Sequence, residues 1–319
     1  MSPQPLRVAF FGSPEFALPV LNALHNHHDV RLVVTQPDRP AGRGMAVRAP
    51  AAARRARELD IRLEQPTRLK GNEPFHALLR ELDVDVAVTA AYGRILPASL
   101  LQVPRHGFLN VHASLLPKYR GAAPVQWALI EGEAETGVTI MQTDVGLDTG
   151  PVRLQRRLPI EPADDAGSLL EKLSALGAET LLEALSLLGE GTLPLAPQDD
   201  AAATLAPPLK AEDGWIRWHE PAQRVVDRHR GVAAWPGSSF EFQGQRVKVE
   251  ALMLAGPADA NADASVEPGT VLSSEPAGVV VAAGAGSVLL QSVKPPGKRA
   301  MNARDWANGR GVKRGVRLG

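Results

Sequence analysis

Cysteine is absent from the 319 residues of this chain, which excludes disulfides, thiolate zinc sites and a cysteine nucleophile, and suits a reducing cytoplasm. Long apolar runs are missing too. The longest late stretch, "AGVVVAAGAGSVLL" (277–290), carries glycines and a serine and falls short of the ~18 residues a membrane span needs. The start, "MSPQPLRVAFFG", has one basic residue and an apolar run broken at Gly12, too short for a signal-peptide core, so no membrane partner is expected. Net charge is also lacking, with 35 Lys/Arg against 35 Asp/Glu, but the balance is uneven. From Val293 onward eight basic residues face only Asp305. Such a segment is either a solvated tail or the footprint of a polyanion.

Several nucleotide and hydrolase motifs are absent as well. "FFGSPEF" (10–16) follows an apolar run, yet neither G-x-G-x-x-G nor G-x-x-x-x-G-K-[ST] occurs there, so a dinucleotide or ATP site has no support. Without a G-x-S-x-G elbow, a serine hydrolase built on Ser114 and His112 has none either. "HNHHD" (25–29) has no second ligand cluster, and histidines at a helix C-terminus complement its dipole; no metal is expected. Trp127, Trp215, Trp218 and Trp235 read as packing residues.

What is present is alternation. "RVAFF" (7–11), "VRLVV" (30–34), "VDVAVTA" (84–90), "GFLNV" (107–111) and "GVTIMQ" (137–142) read as strands, with helices predicted over 14–24, 51–59, 73–82 and 124–131. Ser13 as N-cap and Pro14 at N1 predict the start of the first helix. Short strands apolar on both faces between helices imply an α/β domain with a mostly parallel sheet, whose ligands bind beyond the carboxyl ends of its strands. Prolines, alanines and acids then replace periodic sequence. Residues 1–190 are therefore expected to form the first domain, 191–209 a linker and 210–319 a second domain. In that second domain, strand-like runs at 238–244, 245–254, 269–274, 278–284 and 287–293 predict a small antiparallel β-barrel or sandwich of OB type.

One strand ends unusually. In "GFLNVHASLLPKYRG" (107–121), Asn110 and His112 are two apart and so share a face, offering a carboxamide and an imidazole to a carbonyl oxygen on which charge develops. A capping asparagine and a satisfied buried histidine would explain the pair equally well. The loop "TDVGLDTGPV" (143–152) adds Asp144 and Asp148, either of which could bring a carboxylate to that histidine.

"NVHASLLPKYRGAAPVQWAL" followed by "ETGVTIMQTDVGLDTG" resembles the formyltransferases that use 10-formyltetrahydrofolate, whose site combines N-x-H, S-L-L-P and a downstream D-x-G. The resemblance implies Asn110, His112 and Asp148 as the catalytic residues. It also implies that Ser114, Leu115, Leu116 and Pro117 contact the 10-formyltetrahydrofolate donor, and that no metal takes part. "TQPDRPAGRG" (35–44) and "PPGKRAMNARDW" (295–306) are similar to segments of the branch that formylates methionyl-tRNA. That similarity implies a Rossmann-like domain followed by an OB-like domain, a monomer acting in the cytoplasm on initiator methionyl-tRNA, and tRNA contacts at Arg43, Lys298 and Arg299. Two departures stand out: Pro208 occupies a linker position where relatives carry lysine, and Ala233–Ala234 replace the usual Asn-Pro before "WPG". A formyltransferase of the same fold acting on an amino-sugar nucleotide or other small amine is the alternative. Lys118 and Arg120 read either as contacts to the tRNA acceptor end or as part of a solvated turn.

Overall fold

The computed structural model describes residues 5–41, 46–256 and 266–319. Two compact units emerge: one of residues 1–124, 135–160 and 168–207, the other of 125–134, 161–167 and 208–319.

The first unit is α/β. Its elements are β1 (Arg7–Gly12), α1 (Ala17–His27), β2 (Asp29–Val34), a hairpin of β3 (Arg39–Ala41) and β4 (Ala46–Arg48), α2 (Ala51–Glu58), β5 (Leu63–Glu64), α3 (Glu73–Glu81), β6 (Val86–Ala90), α4 (Ala98–Leu101), β7 (Phe108–His112) and β8 (Arg120–Gly121). After the helix α5 (Pro124–Ile130), most of which belongs to the second unit, come β9 (Glu135–Gln142), β10 (Val152–Pro159), α6 (Ala166–Gly189) and β11 (Leu205–Ala206). The main sheet has the order β10-β9-β7-β6-β1-β2-β5. From β5 to β7 every pairing is parallel, while β9 pairs antiparallel with both β7 and β10. Val8 to Phe11 and all of β6 are buried, as two helix-covered faces require.

β7 is held tightly from behind. A Cβ on Gly177 of α6 would come within 2.8 Å of Val111 Cγ1, so only glycine lets this helix lie so close to the strand. The expected Ser13 cap is not used. A turn with Ala17 N bonded to Pro14 O (3.0 Å) precedes α1, and Ser13 Oγ accepts Gln36 N (3.0 Å) instead, tying β1's exit to the loop after β2. "HNHHD" closes α1: His28 Nδ1 accepts Leu6 N at 3.3 Å. Among the described residues no helix is long and apolar enough to cross a membrane.

The second unit is built on an antiparallel sheet of β12 (Ser238–Phe242), β13 (Gln245–Leu254), β14 (Val271–Glu275), β15 (Gly278–Ala282), β16 (Ser287–Lys294) and β17 (Met301–Asn302), with α7 (Ala222–Val232) and α8 (Ala303–Arg310). Strand order is β12-β13-β16-β15-β14, and β17 adds to β16. The outer strands are linked by the last residues: Val271 N donates to Val316 O and Leu318 N to Gly269 O, while Gly319 N donates to Glu241 O in β12. Residues 315–319 thus act as a final stave, giving the expected OB-like closure. Its interior holds Phe240, Val249, Val281, Leu290 and Trp306, with Trp306 edge-on to Phe240. Trp218 is buried as expected of a packing residue, whereas Trp235 is 55% exposed.

Candidate active site

Asn110 and His112 leave the same face of β7, and neighbouring strands fix how each is presented. Thr89, paired with Asn110 across β6, donates its hydroxyl to Asn110 Oδ1 at 2.8 Å. With its oxygen engaged, the amide directs Nδ2 toward Asp148 Oδ1, 3.5 Å away. His112 is 6% exposed, and its Nε2 lies 3.0 Å from Tyr119 O. A carbonyl can only accept, so Nε2 carries hydrogen and Nδ1 is left to face other partners. That atom faces Asp148 Oδ2 at 3.7 Å.

Asp148 does not arrive along a parallel strand. β9 runs antiparallel to β7, so the 143–151 loop leaves beside Leu109, where Thr143 N bonds to Phe108 O, and must fold back to reach the pair. The reversal is visible in Asp148 itself, whose φ of 53° is rare for a residue with a side chain and needs support. That support is plentiful. Gly121 N donates to Asp148 Oδ2 at 2.9 Å, and Gln198 Nε2 donates to the carbonyls of Asp148 (2.8 Å) and Gly150 (2.7 Å). Asp144, the other acidic candidate, braces the loop: its Oδ1 accepts Gly146 N (3.0 Å) and Thr149 Oγ1 (2.9 Å).

The S-L-L-P segment is a rigid turn. Ser114 is fully buried with Oγ bonded to Lys118 O (2.6 Å), and its carbonyl accepts Thr139 Oγ1 (2.7 Å). Leu116 is buried, its N–H donating to Thr139 Oγ1 and its carbonyl accepting Gln155 Nε2, across a cis bond to Pro117. Leu115 and Pro117 are half-exposed. Side-chain contact with a ligand is therefore open to Leu115 and Pro117 and closed to Ser114, whose hydroxyl is spent on the turn.

Arg120 fits neither of its two expected roles. Its side chain is 8% exposed and bonded to Gln198 and Asp200, so it is interior rather than a solvated turn or a tRNA contact. Lys298 and Arg299 are exposed in the second unit, on the turn between β16 and β17. Arg43 lies outside the described residues. Sequence reasoning missed Thr89, Tyr119, Gly121 and Gln198. Thr89 had a signal, as a polar residue inside an apolar strand; a glutamine in "LAPQDD" had none. It also missed Ile95, Val145 and Leu147, which are 84%, 70% and 63% exposed in the loops after β6 and β9. Among the described residues no group of three or more His, Asp or Glu gathers as a metal site.

A donor amide, a histidine whose free nitrogen faces a carboxylate, and that carboxylate can together hold an oxyanion and take up a proton, the chemistry of acyl transfer. Comparison with known proteins agrees with that class: residues 6–185 match the formyl transferase family, and residues 208–311 match the formyl transferase C-terminal domain. The chain is 52% identical to the methionyl-tRNA formyltransferase of Deinococcus radiodurans over 98% of its own length and 95% of that protein's. It is 50% identical to the one from Thermus thermophilus, over 98% and 99%. The chain belongs to the methionyl-tRNA formyltransferase family. Its fold is shared more widely: an N-formyltransferase from Helicobacter canadensis, solved with folinic acid and dTDP-3-aminofucose, superposes with a TM-score of 0.67 at 15% identity, over 89% of this chain and 98% of that one.

Proposed function

We propose that the protein transfers the formyl group of 10-formyltetrahydrofolate to the free α-amino group of methionyl-initiator tRNA, giving N-formylmethionyl-tRNA for translation initiation. The convergence of Asn110, His112 and Asp148 carries this reading. The amine attacks the formyl carbon, and the carbonyl oxygen becomes an oxyanion held by Asn110 Nδ2 and by His112 protonated at Nδ1. Asp148 stabilises that imidazolium and receives the proton the amine sheds. As the carbonyl reforms, the bond from carbon to N10 breaks and N10 takes a proton, releasing tetrahydrofolate. Donors placed in advance around such an oxygen contribute about 3 to 4 kcal/mol each to the barrier reduction.

The turn at Ser114–Pro117 presents the folate, with Leu115 and Pro117 touching it and the buried Ser114 and Leu116 holding its shape. Residues 1–190 carry the chemistry, 191–209 join the halves, and 210–319 bind tRNA through Lys298 and Arg299, with Arg43 reaching the acceptor end from the first domain. The protein works as a monomer in the cytoplasm, which sedimentation and fractionation would test.

The same site could serve an amino-sugar nucleotide, but an arginine-bearing loop at 35–49 and exposed basic residues after Val293 suit a phosphate-rich polymer better. Labelled 10-formyltetrahydrofolate offered together with methionyl-initiator tRNA and a dTDP-amino sugar separates the two. Label is expected on the tRNA; label on the sugar alone would overturn the proposal.

A further inference from the structure

We infer that Gln198 and Arg120 are positioning residues that hold Asp148 in its working conformation. This inference rests on the role given to Asp148 above. The two residues lie 78 positions apart, and they act on the loop that carries Asp148 rather than on Asn110 or His112. Both ends of the Gln198 amide are engaged. Arg120 Nε and Nη2 both donate to Gln198 Oε1, at 3.0 and 2.9 Å. That fixes the amide's orientation, because a guanidinium can only donate and so must meet the oxygen. The amide nitrogen is thereby turned toward the loop, where its two hydrogens go to Asp148 O and Gly150 O. Asp200 Oδ1 completes the chain by accepting Arg120 Nη2 at 2.7 Å.

The arrangement answers a specific problem. Asp148 sits at positive φ on a loop that doubles back, and an unrestrained loop would relax out of that conformation. Two bonds from one side chain to carbonyls two residues apart restrain that backbone. Arg120 contributes a second time through the chain: the residue after it, Gly121, donates its N–H to Asp148 Oδ2. The pairing of β8 with β11, Arg120 with Leu205 and Gly121 with Ala206, brings this donor and the 198–206 segment together. One unit therefore aims both the backbone and the carboxylate of Asp148.

The test compares four variants by steady-state kinetics, with folate affinity measured in parallel and thermal unfolding as a fold check. Gln198→Met keeps length and removes the amide's bonds to Arg120, Asp148 and Gly150; Arg120→Met removes the orienting cation, and Arg120→Lys restores a cation. Asp148→Asn is the reference. Gln198→Met and Arg120→Met are expected to lower kcat at least ten-fold with KM for the folate donor and folate affinity within two-fold of wild type. Arg120→Lys is expected to recover part of the loss. If Gln198→Met keeps near-wild-type kcat while Asp148→Asn collapses, the positioning role is wrong and the catalytic reading stands. If Asp148→Asn itself keeps turnover, the catalytic reading fails first. A fall in folate affinity that matches the fall in kcat in both methionine variants would also overturn the inference, since it would mean general damage to the site. Should Gln198→Met not fold, the difference between Arg120→Met and Arg120→Lys decides alone: equal kcat in the two sinks the inference.

Discussion

Asp148 Oδ2 meets the N–H of Gly121 at 2.9 Å and faces His112 Nδ1 at 3.7 Å, so one carboxylate oxygen is shared between a fixed backbone donor and an imidazole nitrogen. The backbone bond holds the carboxylate in place beside the ring. Replacing Asp148 with Asn or His112 with Ala should therefore lower kcat by 100-fold or more, on the order of 3 kcal/mol, while folate affinity changes little. Single-turnover formyl transfer and folate binding measured on the same preparations check this. Near-wild-type transfer by either variant would remove these residues from the mechanism.

Gly121 offers a test that leaves every polar side chain untouched. Its φ is 129°, and a Cβ there would fall 2.5 Å from Ala206 O, the parallel partner across β8 and β11. Gly121→Ala should cost about 1 to 3 kcal/mol of stability by forcing these backbones apart. It should also slow turnover, because the donor to Asp148 moves with them. Denaturant unfolding and kcat measured together should both change; a variant altered in neither would mean the strands tolerate separation.

Acid sensitivity is expected to reside partly in the second unit. Burial pushes His229 down to about 4, against a weaker upward pull from Asp165 and Glu250, and its Nδ1 bonds to Ser238 Oγ at 2.9 Å. A base lowered on folding contributes stability that is complete above the unfolded value near 6.5 and is lost as pH falls toward 4. The full loss would be roughly 3 kcal/mol. Urea unfolding at pH 7.5 and pH 4.5 should show a smaller drop for His229→Gln than for the parent protein. Equal drops would assign the acid sensitivity elsewhere.

Binding of tRNA phosphates by Lys298 and Arg299 should weaken with salt. Alanine at either position is expected to flatten the plot of log affinity against log salt by about one for each phosphate partner removed, without altering preference among tRNA sequences. Filter binding at several ionic strengths measures this. A slope unchanged in both variants would place the tRNA elsewhere.

The parts visible in the sequence are those with a period or a motif. β1, β2, β6, β7 and β9 stand within two residues of the runs that predict them, and so do the five long strands of the second unit. No helix is predicted above over α6, although its 24 residues form the longest helix among those described and Leu169, Leu173, Leu181 and Leu185 fall at helical spacing on its buried face. Gly177 lies on the same face, where it packs closely against β7. The site is legible as Asn110, His112 and an acid, because spacing and loop position survive in one dimension. The antiparallel course of β9 is not, so neither is the reversal that gives Asp148 its positive φ. Arg120 is misread for the same reason: its partners, Gln198 and Asp200, arrive from some 80 residues away with no local pattern to announce them.

Residues 125–134 belong to the second compact unit although first-unit strands flank them on both sides. There Glu131 pairs with Arg224 of α7 at 2.8 Å, both partly exposed, and a Cβ on Gly231 would lie 2.6 Å from Ile130 Cγ1, so the two helices meet in a close-packed seam. The consequence is one of timing. A stretch made early finds its other half in α7 about a hundred residues later, a contact of the long sequence separation that slows folding. A fragment of residues 210–319 would emerge with that seam bare and should be prone to self-association, while a fragment carrying 125–134 in trans should find and dissolve it.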